Sequence, residues 1–137
     1  GDEGAKALAE SEQLTRLRYL SLYTNKIGDE GAIALANSKI LSKLEILDLS
    51  FNRIGDLGAE ALANSIHLRQ LKELHLDANR IGLRGMQALA KLSGLKKLQT
   101  LNLSYNRIDL QGLELLNNSK RLQEMNAVKT DYPHIGE

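Results

Sequence analysis

Leucine residues recur along this chain in a pattern that repeats every 27 residues. Each copy reads Leu-x-x-Leu-x-Leu-x-x-Asn-x-Ile, and the four copies begin at Leu17, Leu44, Leu71 and Leu98. The Leu-x-Leu alternation points both of its leucine side chains to one side of an extended strand. A fixed period of this length predicts a solenoid, in which each unit buries its apolar face only by stacking on its neighbours.

An asparagine stands near the end of each copy, where the chain must turn. Its amide group carries two donors and an acceptor, so it can satisfy backbone groups in its own turn and in the adjacent coil. We therefore predict a buried ladder of asparagines, with an isoleucine packed in the corner behind each of them. The four asparagines are Asn25, Asn52, Asn79 and Asn106.

The second half of each unit changes to a helical period. Alanine and leucine recur at helical spacing in GDEGAIALANS from Gly28, GDLGAEALANS from Gly55 and GLRGMQALAKLS from Gly82. We expect Asp29 and Asp56 to be helix N-caps and the repeated glycines to be turn residues. Strands repeat at about 4.8 Å, whereas helix axes prefer about 8–10 Å. The stack should therefore bend, with the strands on its concave side.

These segments resemble a known family. The strand pattern is similar to that of leucine-rich-repeat proteins of the ribonuclease-inhibitor-like subclass. The segments GAKALA, GAIALA and GAEALA resemble the GALA-type repeats of bacterial proteins that act inside host cells. The resemblance implies an α/β leucine-rich-repeat solenoid, a curved horseshoe segment with a parallel β-sheet on the concave face and helices on the convex face.

The resemblance also implies a function class. It favours a protein–protein interaction module that presents a concave binding surface, within an effector, adaptor or sensor. Two alternatives stay open. The family includes regulators of enzymes, of the GTPase-activating or inhibitor type, and the chain could also be a structural array without a dedicated ligand.

The repeat pattern predicts that residues 1–137 form a single domain. Residues 1–13 look like the back half of a repeat, residues 14–121 hold four full repeats, and residues 122–137 hold a degenerate last repeat and a tail. We expect the chain to be a fragment of a longer array, because solenoid ends normally carry polar capping repeats.

The last repeat is the least regular part of the pattern. We align Leu122, Met125 and Ala127 with the strand leucines, which makes the preceding unit three residues short. This alignment predicts that Glu124, Asn126 and Val128 lie on the concave surface.

Side chains between the strand leucines should line the concave surface. Four of the chain's five aromatic residues fall there, and aromatic residues are enriched at interface hot spots, although they also simply suit strands. The charged residues there are acidic until Lys129, so we predict a protein partner with a basic or mixed-charge surface. The predicted contact residues are Tyr19, Tyr23, Asp48, Phe51, Glu73, His75, Asp77, Asn102 and Tyr105.

One titratable cluster calls for a test as a chemical site. His75 should lie beside Asp48 and Asp77 on adjacent strands, where such a set could bind a metal or transfer a proton. A complete catalytic constellation needs more than these groups, and a solvated polar face explains them as well. We therefore predict no enzymatic activity, no catalytic residue, no cofactor and no metal.

Composition bears on the cellular compartment of the protein and on the partners it can bind. The net charge is +1 and there is no cysteine, which excludes a disulfide framework and favours a reducing compartment. We expect a cytoplasmic location or, for a bacterial effector, the host cytosol. No apolar run approaches the ~20 residues of a membrane span, and basic residues are not interleaved with aromatic ones, so we expect neither membrane nor nucleic-acid binding. We also expect a monomer.

Overall fold

The protein is described by a computed structural model over residues 1–131. Its five short strands form one parallel sheet in the order β1-β2-β3-β4-β5. The strands are β1 Tyr19–Ser21, β2 Ile46–Asp48, β3 Glu73–His75, β4 Thr100–Asn102 and β5 Ala127–Lys129. The helices are α1 Asp2–Glu10, α2 Asp29–Ala36, α3 Asp56–Ala63, α4 Leu83–Lys91, α5 Leu110–Asn117 and α6 Lys120–Gln123, with a short 3-10 helix at Glu12–Leu14.

Successive units stack in register. Leu20 stands opposite Leu47, and Leu47 stands opposite Leu74, so the 27-residue period of the sequence becomes the period of the sheet. Consecutive helices α1 to α5 pack against one another on the other side. The predicted solenoid, with a parallel sheet on one side and helices on the other, is confirmed.

The core between the sheet and the helices is aliphatic. Leu47, Leu74 and Leu101 are 0% exposed, because each strand leucine packs against the coil before it and the coil after it. Leu20 in the first strand is only partly buried. The frame that positions the exposed side chains is therefore rigid in the middle of the stack.

The buried asparagine ladder is confirmed at Asn52 and Asn79, and half-buried Asn106 continues its hydrogen bonds. The Nδ2 atom of Asn79 donates to the carbonyl of Leu49 in the preceding coil (2.9 Å) and to that of Leu76 in its own coil (3.1 Å). Its Oδ1 atom accepts from the backbone N–H of Ile54 (2.9 Å). Asn52 and Asn106 make equivalent bonds, whereas Asn25 is exposed.

The aspartates at the helix starts act on a different helix from the expected one. Asp29 is the first residue of its own helix, and its Oδ1 atom accepts from the backbone N–H groups of Gly55 (2.7 Å) and Gly58 (2.9 Å) at the start of α3. Asp2 and Asp56 make the same contacts with the helix that follows. The expectation that Asp29 and Asp56 cap their own helices is wrong, because stacking brings each carboxylate over the next helix terminus.

One helix departs from this arrangement. Leu83 stands where α1, α2 and α3 have an aspartate, so α4 offers no carboxylate to α5. The N-cap Asp109 supplies one from within its own unit, since its Oδ1 atom accepts from the backbone N–H of Gly112 at 2.8 Å.

The glycines of the first helical turn are required by close approach. A Cβ atom on Gly58 would lie 2.9 Å from Oδ1 of Asp29 and 2.8 Å from Cγ2 of Ile54. The residue lies inside α3, so the expected role as a turn glycine is wrong at this position. Glycine lets the carboxylate of one coil reach the amides of the next.

The alignment of the last repeat is also corrected. In β5, Val128 stands opposite Leu101, where the predicted alignment places Met125, and Val128 is 5% exposed. Leu122 therefore corresponds to Leu95, so the fourth unit has its full length. The predicted alignment is three residues out because the leucine that precedes the strand pattern resembles the leucine that opens it.

Of the predicted tail, residues 131–137, all but the first lie outside the described residues. Within residues 1–131 no helix combines the length and the apolar character needed to cross a membrane.

Candidate functional site

Two rows of side chains on the concave face come from the strands themselves. The concave face is defined as the exposed side of the sheet together with the turn residues that follow each strand. The first row is Tyr19, Ile46, Glu73, Thr100 and Ala127, and the second row is Ser21, Asp48, His75, Asn102 and Lys129.

Two more rows come from the turns that follow the strands. Backbone hydrogen bonds join successive coils there, from Phe51 N–H to the Asp77 carbonyl (2.9 Å) and from Ala78 N–H to the Ser104 carbonyl (2.8 Å). The third row is Tyr23, Ser50, Asp77 and Ser104, and the fourth row is Thr24, Phe51, Ala78 and Tyr105. All nine residues predicted from the sequence as contacts lie in these four rows.

The aromatic side chains of the concave face are open to solvent. Tyr19 and Tyr23 are each 59% exposed, Phe51 is 57% exposed and Tyr105 is 71% exposed. The buried hydrophobic core contains no aromatic residue within residues 1–131. The aromatic rings within residues 1–131 thus lie on one surface.

The fourth row has an unusual backbone conformation. The φ angles of Thr24, Phe51, Ala78 and Tyr105 are 58°, 58°, 54° and 57°, in a region that residues other than glycine rarely adopt. Because the four residues share one conformation on adjacent coils, their side chains leave the backbone in the same direction.

This shared direction creates a gap between two rings. Phe51 and Tyr105 are two coils apart, about 10 Å at the usual strand spacing, and Ala78 between them has no side chain beyond Cβ. We call Phe51, Ala78 and Tyr105 the aromatic notch. The notch was not predicted from the sequence, because Tyr23, Phe51 and Tyr105 were considered as one group although the 27-residue period places Tyr23 in a different row.

Two carboxylates are held side by side next to the notch. The hydroxyl oxygen of Ser50 lies 2.6 Å from Oδ1 of Asp48 and 2.6 Å from Oδ1 of Asp77. Ser50 is 8% exposed, so this link is shielded from water. Its single proton serves one carboxylate at a time, and the pair concentrates negative charge beside Phe51 and Ala78.

The predicted grouping of His75 with both aspartates is not formed. His75 is opposite Asp48 in the sheet, but its Nε2 atom lies 3.4 Å from Oε2 of Glu73. Asp48 and Asp77 instead meet through Ser50. Among residues 1–131 no group of three or more His, Cys, Asp or Glu side chains is arranged to hold a metal ion.

The far end of the concave face differs from the expectation. The corrected register places exposed Lys129 opposite Asn102 in the second row. Glu124 and Asn126 precede the strand, and Val128 is buried, so the prediction that these three lie on the concave surface is wrong. The acidic residues therefore lie in the middle of the concave face, and the last coil contributes the positive charge of Lys129.

Comparison with family models gives one match. The model described as Leucine Rich repeat matches residues 13–36, 41–63, 67–90 and 94–116, which together make up more than half of the chain. No curated protein gives a significant match.

Many solved structures are similar to the protein. Leiomodin-1 actin-binding site 2 aligns with a TM-score of 0.72 at 15% identity, covering 96% of this chain and 78% of that one. The tropomodulin C-terminal domain of Caenorhabditis elegans aligns with a TM-score of 0.72 at 13% identity, covering 96% and 83%. At these identities the likeness is one of fold.

A third structure is closer in sequence but much longer. An internalin from Listeria monocytogenes aligns with a TM-score of 0.58 at 30% identity, over 91% of this chain. The alignment covers 31% of the internalin, so the chain spans under a third of that protein.

Proposed function

The chain belongs to the leucine-rich-repeat family, and on that basis we propose that it is a protein-interaction module that binds a partner on its concave face. One observation carries the proposal: the large rings of Tyr19, Tyr23, Phe51 and Tyr105 are 57–71% exposed on a single rigid surface. Rings held in this way add contact area at little cost in conformational entropy.

The aromatic notch gives the partner a definite chemistry. A cationic side chain between the rings of Phe51 and Tyr105 would gain cation–π attraction from both faces. Asp77 directly precedes Ala78 in the chain, and Ser50 links Asp48 to Asp77. Two carboxylates therefore lie next to the gap. We expect an arginine or lysine of the partner to enter the notch.

The subclass is part of the proposal. The 27-residue unit and an α-helix of eight or nine residues in each unit support the ribonuclease-inhibitor-like subclass. The alanine-rich helices α1 to α3 support the resemblance to GALA-type repeats.

A pair of matched double variants tests the face. Phe51→Ala with Tyr105→Ala removes both rings of the notch, and Leu57→Ala with Leu110→Ala removes exposed apolar side chains from helices α3 and α5. The unmodified protein should capture its partner from an extract of the source organism. We expect the first double variant to lose this partner and the second to keep it. Calorimetry with the purified partner then measures the affinity of each variant. Equal capture by both variants would remove the concave face from consideration.

A third variant tests the notch itself. Ala78→Tyr fills the gap while keeping both rings, and the backbone conformation of Ala78 is one that tyrosine already adopts at Tyr105. If a partner side chain enters the notch, the affinity should fall by about tenfold, the scale of one interface hot-spot contact. Tighter binding would mean that aromatic area alone, and not the gap, is recognised.

A further inference from the structure

A second surface lies along the edge formed by the helix-to-strand loops. Two depressions adjoin there, one of about 540 Å³ and one of about 400 Å³. Arg69 lines both, so the two depressions lie side by side across neighbouring coils. We call the pair the basic groove, after the six cationic residues that line it: Arg18, Lys43, Arg69, Lys72, Lys96 and Lys97.

The charge of the groove is one-sided. Against its six cations, the lining contains one carboxylate from residues 1–131, that of Glu45. The whole chain carries a net charge of only +1. The excess of positive charge in the groove therefore comes from the positions of the charged residues and not from an overall basic composition. None of these cations is on the concave face, whose central charges are Asp48, Glu73 and Asp77.

The single carboxylate is already engaged. Nζ of Lys72 lies 3.0 Å from Oε1 of Glu45, and Nη1 of Arg18 lies 3.5 Å from Oε2. The hydrogen bond from Lys72 is the main reason that the pKa of Glu45 lies below its usual value. Glu45 therefore stays ionised and occupies part of the groove as an internal anion.

Other cations of the groove have no such partner. Lys97 donates to Oε1 of Gln70 (2.9 Å), and Lys43, Arg69 and Lys96 make no ion pair within residues 1–131. Arg69 and Lys96 occupy equivalent positions on adjacent coils, where like charges repel and lower stability. An anionic ligand across the coils would relieve this repulsion.

We infer that the basic groove binds an extended acidic segment of a partner protein, rich in Asp and Glu and carrying one apolar residue. The apolar residue would pack on Ile66, which lines the groove and is 70% exposed. Among the residues that the structure describes, no aromatic side chain lines the groove for bases to stack on, which favours a peptide over a single-stranded nucleic acid. This site is separate from the concave face and does not depend on its function.

Fluorescence anisotropy with a labelled deca-glutamate peptide tests the inference. Lys43→Gln, Arg69→Gln and Lys96→Gln together should weaken binding by about tenfold, since each exposed ion pair contributes a small amount. Glu45→Gln should tighten binding by about threefold because it removes the internal anion. Binding should also weaken as salt is added.

A matched control changes the same charge on the opposite edge. Arg53→Gln, Arg80→Gln and Arg107→Gln alter exposed residues of the strand-to-helix loops, and binding should stay within about twofold of the unmodified protein, a change no larger than one exposed ion pair can give. Circular dichroism should show that every variant is folded.

Two results would overturn the inference. The first is equal weakening by the groove variant and the control variant, which would mean that only net charge matters. The second is tighter binding of an oligothymidylate of the same charge, lost in the groove variant, which would assign the groove to nucleic acid.

Discussion

Asn79 joins two adjacent coils through a single side-chain amide. It bonds the carbonyl of Leu49 and the N–H of Ile54 in one coil and the carbonyl of Leu76 in the next. An apolar residue of the same size would leave these backbone groups without partners in a region closed to water. The identity of the residue at this position is therefore set by hydrogen bonding and not by packing.

The first prediction compares two asparagines of the same ladder. Asn79→Ala should lower the free energy of unfolding by about 1–3 kcal/mol for each buried group left without a partner. Asn25 is exposed, and the bond that its own side chain donates goes to the nearby carbonyl of Tyr23, so Asn25→Ala should cost much less. Urea denaturation measures both, and equal losses would contradict the ladder.

At the scale of whole elements, helices α2, α3 and α4 each begin under a carboxylate from the unit before it. Asp29 belongs to α2 but accepts from the amides of Gly55 and Gly58 in α3. The cap is thus a contact between units, and it couples the order of one helix to the presence of its neighbour.

The second prediction tests whether Asp29 caps α3 or its own helix, α2. Asp29→Ala should destabilise the protein by about 0.5–2 kcal/mol, as loss of an N-cap does, and should speed amide hydrogen exchange at Gly58. Asp29→Asn keeps the accepting oxygen and should cost less. Faster exchange at the start of α2, with Gly58 unchanged, would show that Asp29 caps its own helix after all.

The helices and strands could be predicted from the sequence, but the contacts between units could not. Period and alternation were enough for the strands and the helices, since both depend on local spacing of leucines and alanines. The partner of Asp29 depends on which coil lies above it, and local spacing does not contain that. The same holds for buried Ser65, whose hydroxyl donates to the carbonyl of Ala36 in the preceding unit (2.5 Å).

The candidate site was predictable to a similar extent. The alternation placed Tyr23, Phe51 and Tyr105 on the concave face, but the aromatic notch needs the turn conformation of Ala78 and its neighbours. Glu124, Asn126 and Val128 were placed wrongly because two leucine positions three residues apart look alike in sequence. Backbone pairing resolves them.

At the scale of the molecule, stability should depend on position in the stack. An inner coil packs against two neighbours, whereas Leu20 in the first strand is only partly buried. Interactions between neighbouring repeats dominate the stability of such proteins. Damage to the middle of the array should therefore cost more than damage to its first coil.

The third prediction follows from this gradient. Leu74→Ala should lower the free energy of unfolding by about 2–5 kcal/mol, as for a fully buried leucine, and Leu20→Ala should lower it less. Thermal or urea denaturation of the two variants checks the order. A larger loss for Leu20→Ala would contradict stacking as the source of stability.

The size of the molecule also bears on binding. Five strands about 4.8 Å apart offer a flat area of only a few hundred Å², whereas a stable interface buries about 800 Å² on each partner. A partner that contacts the concave face would have to reach the loops as well. The basic groove on the neighbouring edge is one place where it could do so.

Site-specific photo-cross-linking tests the central claim, that a partner protein binds the concave face, most directly. A benzophenone amino acid would replace Phe51 in one protein and Leu110, which is 80% exposed on α5, in another, and both would be irradiated in cells of the source organism. We predict a discrete cross-linked product from position 51 and none from position 110. A product from position 110 alone would contradict the account.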